Sequence, residues 1–263
     1  MFANVNGTRL YFERLGNGPV LLFIHGTALD HRMWRAQVEA LAPRYDVITY
    51  DVRGFGQSAP PDGPFCHYQD AEALLGHLGI DRCVVVGHSA GGLYALELTL
   101  ARPDLVAGCG LVCAGIGGGA PFPPDLQALM AGLRETAASR GVEAARALWL
   151  ESILFATARE IPSVRRELEA MVAGCSGWYW LNGSPAGNLA PPVHERLESI
   201  AVPALVVDGG RDHAYIRAIA DTLASRIPRA TMLRLPHAGH MASMEDPGAV
   251  NQALEALAAA ALA

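Results

Sequence analysis

The chain has 263 residues, 51% hydrophobic and 17% charged, which is enough apolar material for one large domain or a domain carrying an insertion. Its 20 basic and 26 acidic residues leave a formal charge of −6, so no basic surface suited to a phosphate backbone exists, and nucleic acid is not an expected partner. All the basic residues are arginine; without a side-chain amine, Schiff bases, pyridoxal-phosphate attachment and phosphate-loop lysine chemistry are excluded.

The opening stretch MFANVNGTRLYFERLG lacks a basic start followed by an apolar run, and a run of about 18 uninterrupted apolar residues occurs nowhere. The expectation is a cytoplasmic protein with no membrane partner. Cys66, Cys83, Cys109, Cys113 and Cys175 are odd in number and show no CxxC spacing, a pattern of apolar filling and not of disulfides or a zinc site.

Short β-branched runs alternate with helical patterns through the first 115 residues, the signature of βα units on a mostly parallel sheet. An edge strand is expected near Arg9 to Glu13. The unbroken apolar run Val20 to Ile24 reads as a strand covered on both faces. A helix around Arg32 to Leu41, a strand over Val47 to Tyr50 and a helix over Asp70 to Leu78 follow. Another buried strand spans Cys83 to Val86, and after the helical phrase LYALELTL a further strand lies in VAGCGLVCAG. Glycine and proline break the pattern at Gly115 to Pro124.

From Asp125 to about Leu197 helical patterns replace strands and carry Trp149, Phe155, Trp178, Tyr179 and Trp180. Strand signals resume at Val202 to Gly210 and Thr231 to Leu235, with a helix between them over Ala214 to Ser225 and a last one after Pro247. The reading is an α/β core of residues 1–116 and 198–263, its mostly parallel sheet flanked by helices, interrupted by a helical cap of residues 117–197.

CVVVGHSAGGL, residues 83–93, sets G-x-S-x-G between a buried strand and a helix. Gly87 and Gly91 suit so tight a turn because a Cβ there would collide with neighbouring elements, and Ser89 is pushed out at the carboxyl end of the strand. The N–H of Ala90, at the helix N-terminus, faces where an oxyanion would develop. A serine nucleophile requires a histidine base and an orienting acid. Asp212 in DGGRDH and His240 in LPHAGHMASMEDP both follow strands, and loops after parallel strands open on one edge of the sheet. Asp208 and His237 are their rivals. Asp208 abuts its strand, and His237 directly follows Pro236, whereas Ala238 and Gly239 let the loop bring His240 back over the edge. In HGTALDHRMW, Thr27 offers a second oxyanion N–H, and His25 reads as a structural histidine bonding loop backbone. Arg53 reads as part of a loop-fixing ion pair, and His31 and His88 as wall or surface residues. Trp149, Phe155, Trp178, Trp180 and Met241 are candidates for the substrate wall.

The set HGTALD, DVRGFGQS, GHSAGG, DGGRDH and AGHM, spread over residues 25–241, resembles the α/β-hydrolase superfamily. The short core, the helical insert and the phrase SGWYW are similar to the branch of 3-oxoadipate enol-lactone hydrolases and related small esterases. That resemblance implies Ser89 as nucleophile, His240 as base, Asp212 as acid, and Thr27 and Ala90 as oxyanion amides. Ser89 stands where alkyl-halide and epoxide enzymes carry aspartate. Thr27-Ala28-Leu29 lacks the glycines of lipase-type loops, and His88 and Ala90 differ from many lactone and carbon–carbon hydrolases. The expected activity is hydrolysis of a small apolar ester or lactone by water through an acyl-enzyme, with no metal or organic cofactor. The same triad would serve carbon–carbon or thioester hydrolysis, and a ligand-binding receptor with a retained pocket is the alternative of another class.

Overall fold

The computed structural model describes residues 1–262. The chain opens on a hairpin, β1 (Phe2–Val5) and β2 (Thr8–Leu15), turned at Asn6 and Gly7, which both hold positive φ. This Asn-Gly pair is the signal of a tight hairpin turn, so the single edge strand expected near Arg9 to Glu13 is in fact the middle of the second strand. β3 (Val20–Ile24) leads through a 3-10 turn at His31–Trp34 into α1 (Arg35–Leu41). The expected helix over Arg32 to Leu41 is thus a composite, its start capped by the Asp30 carboxylate accepting the Arg32 N–H.

The core continues with β4 (Asp46–Tyr50), a two-residue β5 (Phe65–Cys66), α2 (His67–His77), β6 (Cys83–His88), α3 (Ala90–Ala101) and β7 (Val106–Val112). Then come α4 (Pro124–Arg140), α5 (Val142–Leu150), α6 (Ala156–Glu160), α7 (Pro162–Gly174), α8 (Trp178–Asn182) and a two-residue β8 (Ala186–Gly187). The closing elements are β9 (Ala204–Gly209), α9 (Ala214–Arg226), β10 (Ala230–Leu235), α10 (Ala242–Glu245) and α11 (Pro247–Leu262).

Eight strands form one sheet in the order β1-β2-β4-β3-β6-β7-β9-β10, antiparallel from β1 to β4 and parallel from β4 to β10. Every residue of β4, β6, β7 and β9 is buried, as unalternating apolar runs require. On one face α11 packs against β7, where Gly108 and Gly110 leave room for Ala261 and Leu254. From the other face α3 packs against β6 and β7.

Helices α4 to α8 lie between β7 and β9 in the chain and are tied back to the sheet-bearing part at several points. The Tyr179 hydroxyl donates to the Arg53 carbonyl at 2.8 Å, the Leu189 N–H donates to Glu97 Oε1 at 2.9 Å, and Arg211 forms a two-pronged pair with Glu160. β5 and β8 add a short parallel ladder across the same junction. Among the described residues no helix is long and apolar enough to cross a membrane.

Candidate active site

Ser89 sits between β6 and α3 with φ 52° and ψ −119°, a conformation costly for any residue bearing a Cβ. What enforces it is close packing on either side. A Cβ on Gly87 would stand 2.1 Å from the Gly91 carbonyl oxygen, and one on Gly91 would stand 2.3 Å from that of Ile24. The turn is held by Ser89 N–H donating to Val112 O at 3.1 Å and by the Gly92 and Gly115 amides donating to Ser89 O at 3.0 and 2.8 Å.

The loop after β10 brings His240 to this turn, and the loop after β9 brings Asp212. Ser89 Oγ lies 3.1 Å from His240 Nε2, and His240 Nδ1 lies 2.7 Å from Asp212 Oδ2. A carboxylate only accepts, so Nδ1 carries the imidazole proton and Nε2 is left free to take one from the hydroxyl. Asp212 is fixed by a second bond, His213 N–H to Oδ1 at 2.6 Å. The rivals are placed elsewhere: Asp208 is buried against Arg234 at 2.6 Å, and His237 is exposed.

Two further residues hold His240, and no sequence motif marks either role. His88 is fully buried, its Nε2–H donates to His240 O at 2.9 Å, and burial pushes it far below the ordinary imidazole range, so it is neutral. Glu245 Oε2 accepts the Gly239 N–H at 2.6 Å. Burial, and beyond it the charge of Asp212, raise the Glu245 carboxyl. The signal for Glu245 was its place five residues after His240, on the first turn after that loop. His25 has the structural role expected, with Nδ1–H donating to Gly26 O and Nε2 accepting the Val52 N–H, both at 2.8 Å. Arg53 pairs with Asp70 in a buried bridge at 2.6 Å, and His31 pairs with Asp51 at 2.7 Å.

Over Ser89 opens a cavity of about 220 Å³ bounded by Thr27, Ser89, Ala90 and His240 below and by the helical segment above. Thr27 comes close because the loop after β3 turns at Ala28 (φ 57°) and presses Gly26 against the Ser89 elbow. Of the expected wall residues, Trp149 and Phe155 line the cavity, meeting edge to face at 5.1 Å. Trp178, Trp180 and Met241 do not line it. Trp178 packs edge-on to Tyr179, on the side tied to Arg53, and Met241 is fully buried in the core behind the histidine loop. Their places are taken by Leu126 and Met130 of α4 and by Ile216 and Ile219 of α9. The apolar spacing of those helices was legible, but not the faces turned to the cavity. At one margin Phe122 and Tyr215 meet edge to face at 5.6 Å, Tyr215 OH donates to Ala120 O at 2.7 Å, and His213 pairs with Asp125 at 2.8 Å.

Cys113 joins Asp212 and His240 with ligand-type atoms within 4.8 Å of one another, as do Asp30, His31 and Asp51. In the first set the thiol is kept protonated by burial, and the other two bond each other. In the second set Asp30 is engaged by the Arg32 guanidinium at 2.6 Å and Asp51 by His31. Both sets are satisfied by protein partners.

The family model described as alpha/beta hydrolase fold matches residues 19–247. The chain is 30% identical over 248 residues to 3-oxoadipate enol-lactonase 2 of Acinetobacter baylyi, covering 91% of this chain and 88% of that protein. Among solved structures, Est816, described as an N-acyl homoserine lactone degrading enzyme, is similar with TM-score 0.81 and 29% identity, covering 97% of this chain and 99% of the other. The enol-lactonase from Burkholderia xenovorans LB400 is similar with TM-score 0.84 and 26% identity, covering 98% of this chain and all of the other (100%).

Proposed function

The chain belongs to the alpha/beta hydrolase family, and from that membership we propose that it hydrolyses a carboxylic ester or lactone through an acyl-enzyme on Ser89. The observation that carries the reading is the continuous chain from Ser89 Oγ to His240 Nε2 (3.1 Å) and from His240 Nδ1 to Asp212 (2.7 Å) on the floor of the cavity. Ser89 Oγ attacks the carbonyl carbon as its proton passes to His240 Nε2, and Asp212 stabilises the imidazolium that forms. The N–H groups of Thr27 and Ala90 receive the oxyanion, one such donor typically lowering the barrier by about 2.7 to 4 kcal/mol. As the tetrahedral adduct collapses, His240 returns the proton to the departing alkoxide, which in a lactone stays attached to the acyl chain. Water then adds to the acyl-enzyme with His240 again as base, and the carboxylic acid and free Ser89 are released.

Residues 117–197 act in this reading as a cap that sets substrate range. The lactone-cleaving names of the relative and of the solved structures favour an ester or lactone over a carbon–carbon bond.

A fluorophosphonate should label the protein at Ser89, fluoride leaving as the phosphorus–oxygen bond forms. Ser89→Ala should abolish labelling and lower kcat on an aryl ester on the order of 10⁴-fold or more. Labelling and turnover unchanged in Ser89→Ala would show the nucleophile to be elsewhere.

A further inference from the structure

The cavity over Ser89 is notable for the charge it lacks. Among the described residues no arginine lines it, and the chain has no lysine. The ionisable side chains on its wall are His88, His240 and Tyr215, and each is committed. Neutral His88 donates to His240 O, His240 Nδ1–H donates to Asp212, and Tyr215 OH donates to Ala120 O. Arginines of the surrounding segments are turned to other partners: Arg159 to the carbonyls of Leu150 and Ser152 at 2.7 and 2.8 Å, and Arg211 to Glu160. Carboxyl groups adjoin the site, Asp212 and Glu245 about His240 and Asp125, paired with His213, next to the wall residue Leu126. The remaining wall is apolar, from Leu29 and Leu93 to Ile219.

Given Ser89 as the nucleophile, we infer that the substrate is an uncharged ester or lactone with an apolar acyl part, and that carboxylate-bearing esters and lactones are rejected. An anion entering this space loses its hydration and meets no arginine among the described residues to replace it. Size follows from the volume. An apolar cavity of ~150 Å³ accommodates benzene, so about 220 Å³ holds roughly eight or nine carbon atoms, an octanoyl chain with the leaving group of the ester at the cavity mouth.

The test compares three p-nitrophenyl esters near pH 7, on the full chain. They are the octanoate, the monoester of octanedioic acid, which ends in a carboxylate, and the methyl-capped form of that monoester. The expected result is a kcat/KM for the octanoate on the order of 10²-fold or more above the carboxylate ester, with most of the loss recovered by methyl capping. The difference should persist in about 1 M salt, where the Debye length is only about 3 Å and long-range repulsion is screened. Among neutral straight-chain esters kcat/KM should peak near octanoate. Equal values for neutral and carboxylate esters, a difference that vanishes in salt, or no recovery on capping would each overturn the charge selectivity, and a maximum at acetate would overturn the size. Alkyl and ω-carboxyalkyl fluorophosphonates separate this from the catalytic reading: equal labelling rates at Ser89 overturn the charge selectivity alone, and no labelling by either removes the nucleophile as well.

Discussion

At Ser89 a single pair of torsions, φ 52° and ψ −119°, sets the geometry of the whole site, and the glycines on either side make it possible. Gly91→Ala would put a Cβ 2.3 Å from a backbone oxygen of β3, which cannot retreat without opening the sheet, whereas a Cβ at Gly115 would meet Ser89 O at an ordinary 3.4 Å. Gly91→Ala should therefore destabilise the protein by more than about 2 kcal/mol and slow fluorophosphonate labelling, while Gly115→Ala should do neither. Thermal unfolding and labelling rates check this, and similar effects from both would mean that elbow packing is not what holds Ser89. The choice of residues for the site was legible from position: loops after parallel strands share an edge, and of the two histidines only His240 follows a step that can bend back. The environments of the rejected pair were not legible, because Arg234, the partner that occupies Asp208, becomes its neighbour only when β9 and β10 pair.

Elements joined across the sheet and the helical segment carry a pH dependence. Glu97 on α3 is 1% exposed and accepts the Leu189 N–H, and burial raises its carboxyl from 4.5 to about 7 against the opposing pull of that hydrogen bond. In the unfolded chain it ionises near 4.5, so between there and about 7 the folded state holds a proton that the unfolded state has released. Stability must then fall as pH rises through that window, by on the order of 3 kcal/mol in all. Glu97→Gln keeps an acceptor for Leu189 and cannot ionise. It should match the parent at pH ~4 and exceed it at pH ~8 by about that amount, as read by urea unfolding; equal stability at both values would place the ionisation cost elsewhere. Element existence was read well from periodicity, because buried parallel strands show as unbroken apolar runs and helices as period-3.6 patterns. One difference is local, the hairpin turn that Asn6-Gly7 signals, and the other is long-range: the start of α2 at His67, three residues before Asp70, depends on Phe65 and Cys66 pairing with Ala186 and Gly187 far along the chain.

In the whole molecule the cavity exists only because the segment between β7 and β9 folds back over the carboxyl edge of the sheet. Trp149 lines that space and Trp178 lies outside it. Trp149→Ala should change the kcat/KM ratio of bulky to small esters by the equivalent of about 1 to 3 kcal/mol, and Trp178→Ala should leave the ratio near its parent value, with circular dichroism and labelling by a small phosphonate verifying that both variants fold. A ratio more sensitive to Trp178 would mean that Trp178, and not Trp149, borders the bound ester. The sequence by itself determined the α/β architecture, the helical interruption and the meeting of Ser89, Asp212 and His240 at one sheet edge, since these follow from local periodicity, glycine-dependent turns and the shared direction of parallel strands. Only the tertiary structure decided that Leu126, Met130, Ile216 and Ile219 share the wall with Trp149 and Phe155 while Trp178 and Met241 turn away, and that among the described residues no arginine faces the cavity. Those outcomes depend on how helices distant in the chain rotate and pack against one another, and the energy that sets such a rotation is spread over many long-range contacts that no local pattern encodes.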